Sequence, residues 1–374
     1  MSRMRGRVLH LIDTGGPGGA ETIFLTLVTG LGAHGWESVP VVPEDDWLAQ
    51  ELRERGLTPI LLSSGRPFDA PYLLRLRRLV VRTAPDLVQT HLMTTGVYGS
   101  VATMGRSVPV VSTFHGLPDV GAPGPGQRVK FRLLARPRNR VVFVSDSLAG
   151  SLQARMGLGN GHVRVIHNGI DVDAYAPGPA EPWRTRLGAG PDDVLLGAVG
   201  NVRRSKAYEV LLRAFARIRA AAPSARLAIA GQAEGPLFEE LVALADALDL
   251  GASVRFAGFV DDVPGFLRAL DLFVLSSSDE GFSLATTQAM ATGLPVVATR
   301  CGGPEEIVRD GVDGVLVPPD DPDALAAAAL GVLQDPAGAR ALGEAARRSV
   351  AERFSVDAMV RGYAELYAEV LGRG

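Results

Sequence analysis

Lys206 is one of only two lysines in 374 residues, the other being Lys130, and its setting draws attention to it. It closes Gly200-Asn-Val-Arg203-Arg204-Ser-Lys206, which follows an apolar run and precedes a helical period over 208–221. Cations at the carboxyl end of a strand are well placed for a ligand's phosphates, although a solvated turn with surface charges has the same composition. A second stretch, Ser276-Ser-Ser-Asp279-Glu280-Gly-Phe282-Ser283-Leu284, ends one apolar run and opens a helix, with Gln288 eight residues past Glu280. A helix beginning near Phe282 puts Gln288 two turns in and turns the amides of Phe282, Ser283 and Leu284 toward an anion. Read alone, Asp279 and Glu280 are equally the acids that stabilise a helix N-terminus.

Thr14-Gly-Gly-Pro-Gly18-Gly19-Ala-Glu21 joins an apolar run to a helix starting near Ala20, again a loop of free amides at a positive dipole end. It is not a dinucleotide fingerprint, because Glu21 stands where the third glycine belongs, and it has no P-loop lysine. A tight turn without a ligand is the alternative. His91 and His115 each end an apolar run. We read His91 as a hydrogen-bonded turn residue and His115 as the one with a functional role. Asp171-Val-Asp173 has the form of a metal-binding pair, yet its place after Asn168-Gly169 favours a turn, and there is no Cys/His spacing of the zinc type.

The elements that must position these groups are short Val, Ile and Leu runs alternating with helical periods, the pattern of βαβ units around parallel sheets. Seven runs fall in the first half, among them 8–12, 87–90, 108–114 and 140–144. Six fall in the second, among them 194–199, 226–230 and 272–275. The fold class is therefore α/β, with two doubly wound, Rossmann-like domains. Their expected bounds are 1–176 and 177–354, separated by the proline-rich Ala176–Pro182, with a last amphipathic helix over 355–374. Open α/β sheets bind ligands at the carboxyl ends of their strands, which places the expected site in a cleft between the two.

Composition removes several function classes. With 47% apolar and 21% charged residues the chain is globular, and no run reaches the length of a membrane span. A cytoplasmic protein is expected, and the single cysteine, Cys301, cannot form an internal disulfide. The net charge of −3 conceals an asymmetry. Residues 1–176 hold 19 Lys/Arg against 14 Asp/Glu, and residues 177–374 hold 19 against 27. Arg128, Lys130, Arg132, Arg136, Arg138 and Arg140 follow one another without an intervening acid, a face suited to anionic lipid or simply a solvated helix. Nucleic acid is a poor partner for so small an excess without interleaved aromatics.

Taken together, the early GGPGGAE loop, Val165-Ile-His-Asn-Gly-Ile-Asp171, the Gly200–Lys206 stretch, the run from Glu280 to Ala298, and the later Gly302-Gly-Pro-Glu-Glu-Ile-Val308 and Gly314–Pro319 resemble the retaining glycosyltransferases of family 4, with the GT-B fold. The resemblance covers nearly the whole chain. It implies a hexose-type sugar moved from a nucleotide-diphosphate donor to a glycan or lipid-linked acceptor, as in polysaccharide biosynthesis, without a metal or other cofactor. By the same resemblance Arg203 and Lys206 hold the diphosphate, assisted by the amides of Phe282, Ser283 and Leu284. Glu280 holds sugar hydroxyls, His115 lies near the donor sugar, and Gly18 and Gly19 approach the diphosphate from the first domain. The last helix crosses back onto that domain.

Two departures stand out. The second glutamate of the family's E-x7-E pattern, which takes the nucleotide ribose, is Gln288, and Ala207 follows Lys206 where glycine is usual. Weaker donor binding is the expected consequence of Gln288. A catalytically weak sugar-nucleotide-binding protein and a same-fold sugar-nucleotide epimerase are the competing readings.

Overall fold

A chain whose strands are buried on both faces must cover both with helices, and the near-continuous apolar runs become strands of that kind. The structure, a computed structural model, describes residues 4–64, 69–120 and 125–373. Among them the first seven runs form β1 (Gly6–Leu11), β2 (Trp36–Val42), β3 (Ile60–Leu61), β4 (Leu87–His91), β5 (Val110–Phe114), β6 (Arg140–Phe143) and β7 (Val163–Val165). The next six form β8 (Val194–Val199), β9 (Ala225–Ala230), β10 (Val254–Gly258), β11 (Leu272–Leu275), β12 (Val296–Thr299) and β13 (Val315–Val317). Every recorded pairing between them is parallel.

The first sheet has the order β3-β2-β1-β4-β5-β6-β7 and the second β10-β9-β8-β11-β12-β13. In each, the order reverses once: between β1 and β4, and between β8 and β11. Right-handed crossovers send the chain to opposite faces on the two sides of such a point, so the loops leaving the two strands part and open a crevice there. The glycine stretch, His91, His115, Lys206 and Glu280 lie at the ends of, or in the loops leaving, β1, β4, β5, β8 and β11.

The chain divides into unit 1, Met1–Gly169 with Val356–Gly374, and unit 2, Ile170–Ser355. The division falls earlier than the expected boundary at 176, for a physical reason. Ile170 donates its N–H to the Phe354 carbonyl at 2.8 Å. The segment beyond it is tied to unit 2 by Arg268, which donates to the carbonyls of Ala176 at 2.7 Å and Ala174 at 3.0 Å, and by Arg347, which donates to Val172 at 3.2 Å. Asp171 spends its carboxylate on the N–H groups of Asp173 and Ala174, 3.1 Å each, so the DxD pair is a turn.

Polar residues within fully buried strands of unit 1 require partners, and the last helix, Val356–Leu371, supplies them. Tyr367 donates to Gln89 Oε1 at 3.0 Å, Gln89 Nε2 donates to Thr113 Oγ1 at 2.9 Å, and Thr113 pairs with the Tyr363 hydroxyl at 3.0 Å. Gly30 lets this helix approach the helix Gly19–Gly30, since a Cβ there would stand 2.7 Å from Val360. In unit 2 the core lies between the sheet and the helices Tyr208–Ala221 and Pro322–Gln334, around Leu196, Leu211, Phe215, Leu272 and Leu325. Each such side chain contributes about 1.5–3 kcal/mol by leaving water.

Candidate functional site

β8 and β11 lie side by side, with Leu196 opposite Leu272, so the loops leaving their carboxyl ends meet. They are laced together. Ser276 Oγ donates to the Lys206 carbonyl at 2.8 Å, and Ser278 N–H to the Ser205 carbonyl at 2.8 Å. The Tyr208 hydroxyl donates to the Gly200 carbonyl at 2.7 Å, fixing the start of the first loop. Glu280 is held from a third strand end, donating its N–H to Cys301 and accepting from Gly303 through its own carbonyl, at 3.0 and 2.8 Å. Gly303 has to be glycine, because a Cβ would stand 2.7 Å from the Phe282 Cα.

The outcome is an ion pair. Lys206 Nζ donates to Glu280 Oε1 at 2.6 Å, and Ser277 Oγ donates to the same oxygen at 2.7 Å. The two side chains are only 19% and 13% exposed. Neither charge could be held there alone without a large desolvation cost, which the opposite charge helps to offset. An ammonium has three N–H groups, and Glu280 engages one of them, so Lys206 can still donate to an incoming anion. Burial and the neighbouring Glu280 charge push the Asp279 carboxyl upward. Cys301 beside the pair is pushed up to about 12 by burial, which makes it an inert thiol.

Ala207, where glycine is usual, has φ +46° and ψ +46°. The backbone at this position is left-handed, which explains the usual glycine and shows that alanine adopts the same turn at a local cost of about 1–2 kcal/mol.

Other expectations require correction. The helix after Glu280 runs from Leu284 to Thr292 with Ser283 as its cap, not from Phe282, because the Ser283 hydroxyl is bonded to Thr286 at 2.8 Å. Of the three amides expected to face an anion, that of Leu284 already donates to the Phe282 carbonyl at 3.1 Å. Gln288 therefore lies just over one turn into the helix. Arg203 is exposed and extended, and its neighbour Arg204 pairs with Glu240 at 3.0 Å on the surface. Lys206 is the cation held at the strand end.

Sequence reasoning missed Tyr175. Its hydroxyl accepts from Gln288 Nε2 at 2.8 Å, and burial pushes its phenol up to about 12. The residue sits in a turn of unit 2 that sequence alone had assigned to the first domain, so nothing pointed to its neighbour. The partner of Gln288 is thus a neutral hydroxyl, which an amide satisfies as well as a carboxylate does.

In unit 1, Gly18 caps the helix Gly19–Gly30, and the Glu21 carboxylate folds back over it where any Cβ would collide. The residue that broke the dinucleotide pattern therefore occupies the helix N-terminus itself. β4 and β5 bring His91 and His115 together, with His91 Nδ1 and His115 Nε2 3.0 Å apart and the rings within 13° of parallel. His91 is consequently not a turn residue. It is wholly buried against Phe24, which also meets the buried His10. Burial holds His10 down to about 3 and His115 down to about 4, and it lowers His91 well below the usual range with help from the other two rings. Asp119 accepts the N–H groups of His115 and Gly116 at 2.6 and 3.1 Å, and burial pushes its carboxyl up to about 6.

A family model described as Glycosyltransferase Family 4 matches residues 17–174, and one described as Glycosyl transferases group 1 matches 180–349. A D-inositol 3-phosphate glycosyltransferase 2 from Catenulispora acidiphila is 33% identical over 301 residues, 76% of this chain and 70% of that protein. The chain belongs to glycosyltransferase family 4. A D-inositol 3-phosphate glycosyltransferase from Mycobacterium marinum is also 33% identical, over 297 residues, 74% of this chain; the match spans 63% of that relative's length. Anabaena HepE, solved in complex with UDP-glucose, superposes with a TM-score of 0.89 at 24% identity, covering 98% of this chain and all of HepE. The GT-B fold is thereby established. Among the described residues no helix is long and apolar enough to cross a membrane.

The histidine cluster sets an acid response. Below pH 6.5 the unfolded chain protonates its histidines while the buried rings resist, so the stability they confer is present above 6.5 and lost toward their folded values. Each full histidine contributes a slope of about 1.4 kcal/mol per pH unit. Asp119 acts oppositely, because its folded carboxyl takes a proton first as pH falls through about 6. Urea unfolding of unit 1 between pH 7 and 4.5 should show net weakening, and NMR should find these three rings untitrated above pH 5. Titration near 6.5 would contradict the assignment.

Proposed function

We propose that this enzyme is a retaining hexosyltransferase that uses a nucleotide-diphosphate sugar and needs no metal. The observation that carries the reading is the Lys206–Glu280 pair at the point where the second sheet reverses. Cleaving an anomeric C–O bond adds charge to the departing diphosphate and leaves oxocarbenium character on the sugar. A fixed cation at the diphosphate then stabilises the transition state more than the ground state, which accelerates the chemistry. Lys206 supplies that cation from a low-exposure site, with Arg203 nearby in sequence as the more exposed one. Glu280 accepts from sugar hydroxyls with the oxygen that Lys206 leaves free. The amides around Ser283, Gly18 and Gly19, and His115, complete the proposed donor contacts. Retention follows from attack on the face the leaving group vacates, with a phosphate oxygen as base.

HepE's complex with UDP-glucose makes that donor the first to test, and the names of the relatives place a phosphorylated polyol beside glycans and lipid-linked sugars among the acceptors to try. Slow hydrolysis of the donor, released as free sugar of unchanged configuration, is expected. Lys206→Ala should reduce it about 100-fold or more, the scale of one lost transition-state donor. Tight donor binding without turnover would favour the sugar-nucleotide-binding reading, for which the Gln288–Tyr175 pairing is the motive. Free C2-epimerised sugar would indicate an epimerase. By titration calorimetry, Gln288→Glu should tighten donor binding about fivefold, as a charge-assisted bond to the ribose would. Unchanged or weaker binding would reject that role.

On the acceptor side we propose a surface for anionic lipid, with a solvated basic face as the alternative. In unit 1 the helix Pro125–Leu134 packs beside Met93–Ala102, which packs beside Ala70–Thr83. Arg136 and Arg140 are occupied with the Ser100 and Asn139 carbonyls at 2.8 and 3.0 Å, so they drop out of the basic face expected over 128–140. The neighbouring helix 70–83 adds Arg77, Arg78 and Arg82, all exposed, beside the exposed Leu74 and Val81. Val129, 58% exposed, adds an apolar contact among Arg128 and Arg132. Each cation near a charged bilayer contributes about 1 kcal/mol. Co-sedimentation with phosphatidylserine vesicles is expected at low salt, weakened at high salt and by Arg77→Glu with Arg78→Glu. No binding at low salt would dismiss the membrane.

A further inference from the structure

We propose that Tyr175 is a positioning residue of the donor site, holding the Gln288 amide so that its carbonyl oxygen Oε1 takes a ribose hydroxyl of the nucleotide where the family's pattern has a carboxylate. The inference rests on the proposed function for the nucleotide-sugar donor, and on the geometry of unit 2 for the rest.

Of the nine residues in the helix Leu284–Thr292, only Leu284 and Gln288 are not buried. They stand four positions apart and therefore share one face. The helix has a single open stripe, which starts at the loop carrying Glu280 and reaches Gln288 about 6 Å further along the axis. A ribose lies one ester linkage from its diphosphate, a span of the same order as that step.

An amide is ambiguous where a carboxylate is not, because one end donates, the other accepts, and a half-turn about its last bond exchanges them. Tyr175 removes the ambiguity. Gln288 Nε2 donates to the Tyr175 hydroxyl at 2.8 Å, which leaves Oε1 without a partner among the described residues and not sealed from solvent. The reverse orientation is disfavoured by charge. Burial pushes the Tyr175 phenol up to about 12, and the carboxylates of Asp171 and Asp262 add to the effect by making the potential at its oxygen negative. The positive N–H end of an amide belongs at such an oxygen, and the carbonyl end does not.

The turn that holds Tyr175 does not need this bond to stay in place. Arg268 donates to its Ala174 and Ala176 carbonyls, and Arg347 donates both to Val172 of the turn and to Ala291 of the helix, pinning one to the other. The hydroxyl is thus available to orient Gln288, and an oriented Oε1 accepts from a ribose hydroxyl as one oxygen of a carboxylate would.

The test compares nucleotides with and without ribose hydroxyls. By titration calorimetry the full chain should bind UDP about 10-fold more tightly than 2′,3′-dideoxy-UDP. In Tyr175→Phe, which removes the hydroxyl alone, UDP should weaken about 3- to 10-fold, the scale of one hydrogen bond, while the dideoxy nucleotide stays within about twofold. Donor KM in UDP-glucose hydrolysis should rise by the same factor, with kcat within about twofold. Equal weakening of both nucleotides would reduce Tyr175 to a fastener of the turn and overturn the inference, as would no change in either. A second measurement needs no variant: the carbon-13 resonance of the Gln288 side-chain carbonyl should move on saturation with UDP and stay in place with the dideoxy nucleotide. A carbonyl that UDP leaves unmoved would overturn the inference even if Tyr175→Phe does not fold. The guanosine and thymidine pairs replace the uridine pair if UDP does not bind. A chain that binds none of them would reject the proposed function itself, and the inference with it.

Discussion

A parallel sheet whose strand order reverses cannot close its two central strand ends against each other, because their connections depart to opposite faces. Most of the chemistry described here follows from that constraint. In unit 2 it puts the loops after β8 and β11 next to each other, and a lysine and a glutamate 74 residues apart in sequence become an ion pair 2.6 Å long. In unit 1 the strands at and beside the reversal carry the glycine loop, His91 and His115. The rest of the fold serves to keep these ends fixed: serine hydroxyls tie one loop to the next, and glycines permit backbone approaches that any Cβ would block.

Much of this was legible because parallel strands write themselves as short apolar runs, and the loops after them were placed by the runs. The partnership of Lys206 and Glu280 was not written there. Each residue was recognised as a site group, but that they neutralise one another depends on which strand lies beside β8, a matter of topology. Tyr175 was illegible for a related reason. The turn holding it belongs to unit 2 through hydrogen bonds from Arg268 and Arg347, long-range contacts that leave no local pattern. The helix start at Leu284 was misjudged by two residues because a serine cap three residues from its threonine partner outweighs the acids before it. His91 was read as a turn residue from its neighbours in sequence, whereas its partner comes from the adjacent strand.

The two units use polarity differently. Unit 2 keeps a charged pair at its strand ends, in which the lysine has N–H groups left over for an incoming phosphate. Unit 1 keeps His10, His91 and His115 neutral by burial, and a separate buried polar line runs through Gln89 and Thr113 to the tyrosines of the last helix. A neutral imidazole suits a role of donating one hydrogen bond, just as an ionised lysine suits a role of meeting developing charge. Ala207 and Gln288 show that the family pattern bends where geometry allows: the first accepts a left-handed backbone, and the second finds a hydroxyl partner.

The central claim is that Lys206 meets the donor's diphosphate. Because the chain has only two lysines, carbon-13 NMR of their side chains resolves Lys206 from Lys130 without further labelling schemes. Titration with UDP-glucose, and with GDP- and dTDP-sugars if it fails to bind, should shift the Lys206 resonance to saturation while Lys130 stays in place. A donor that saturates the protein and leaves Lys206 unmoved would contradict the account.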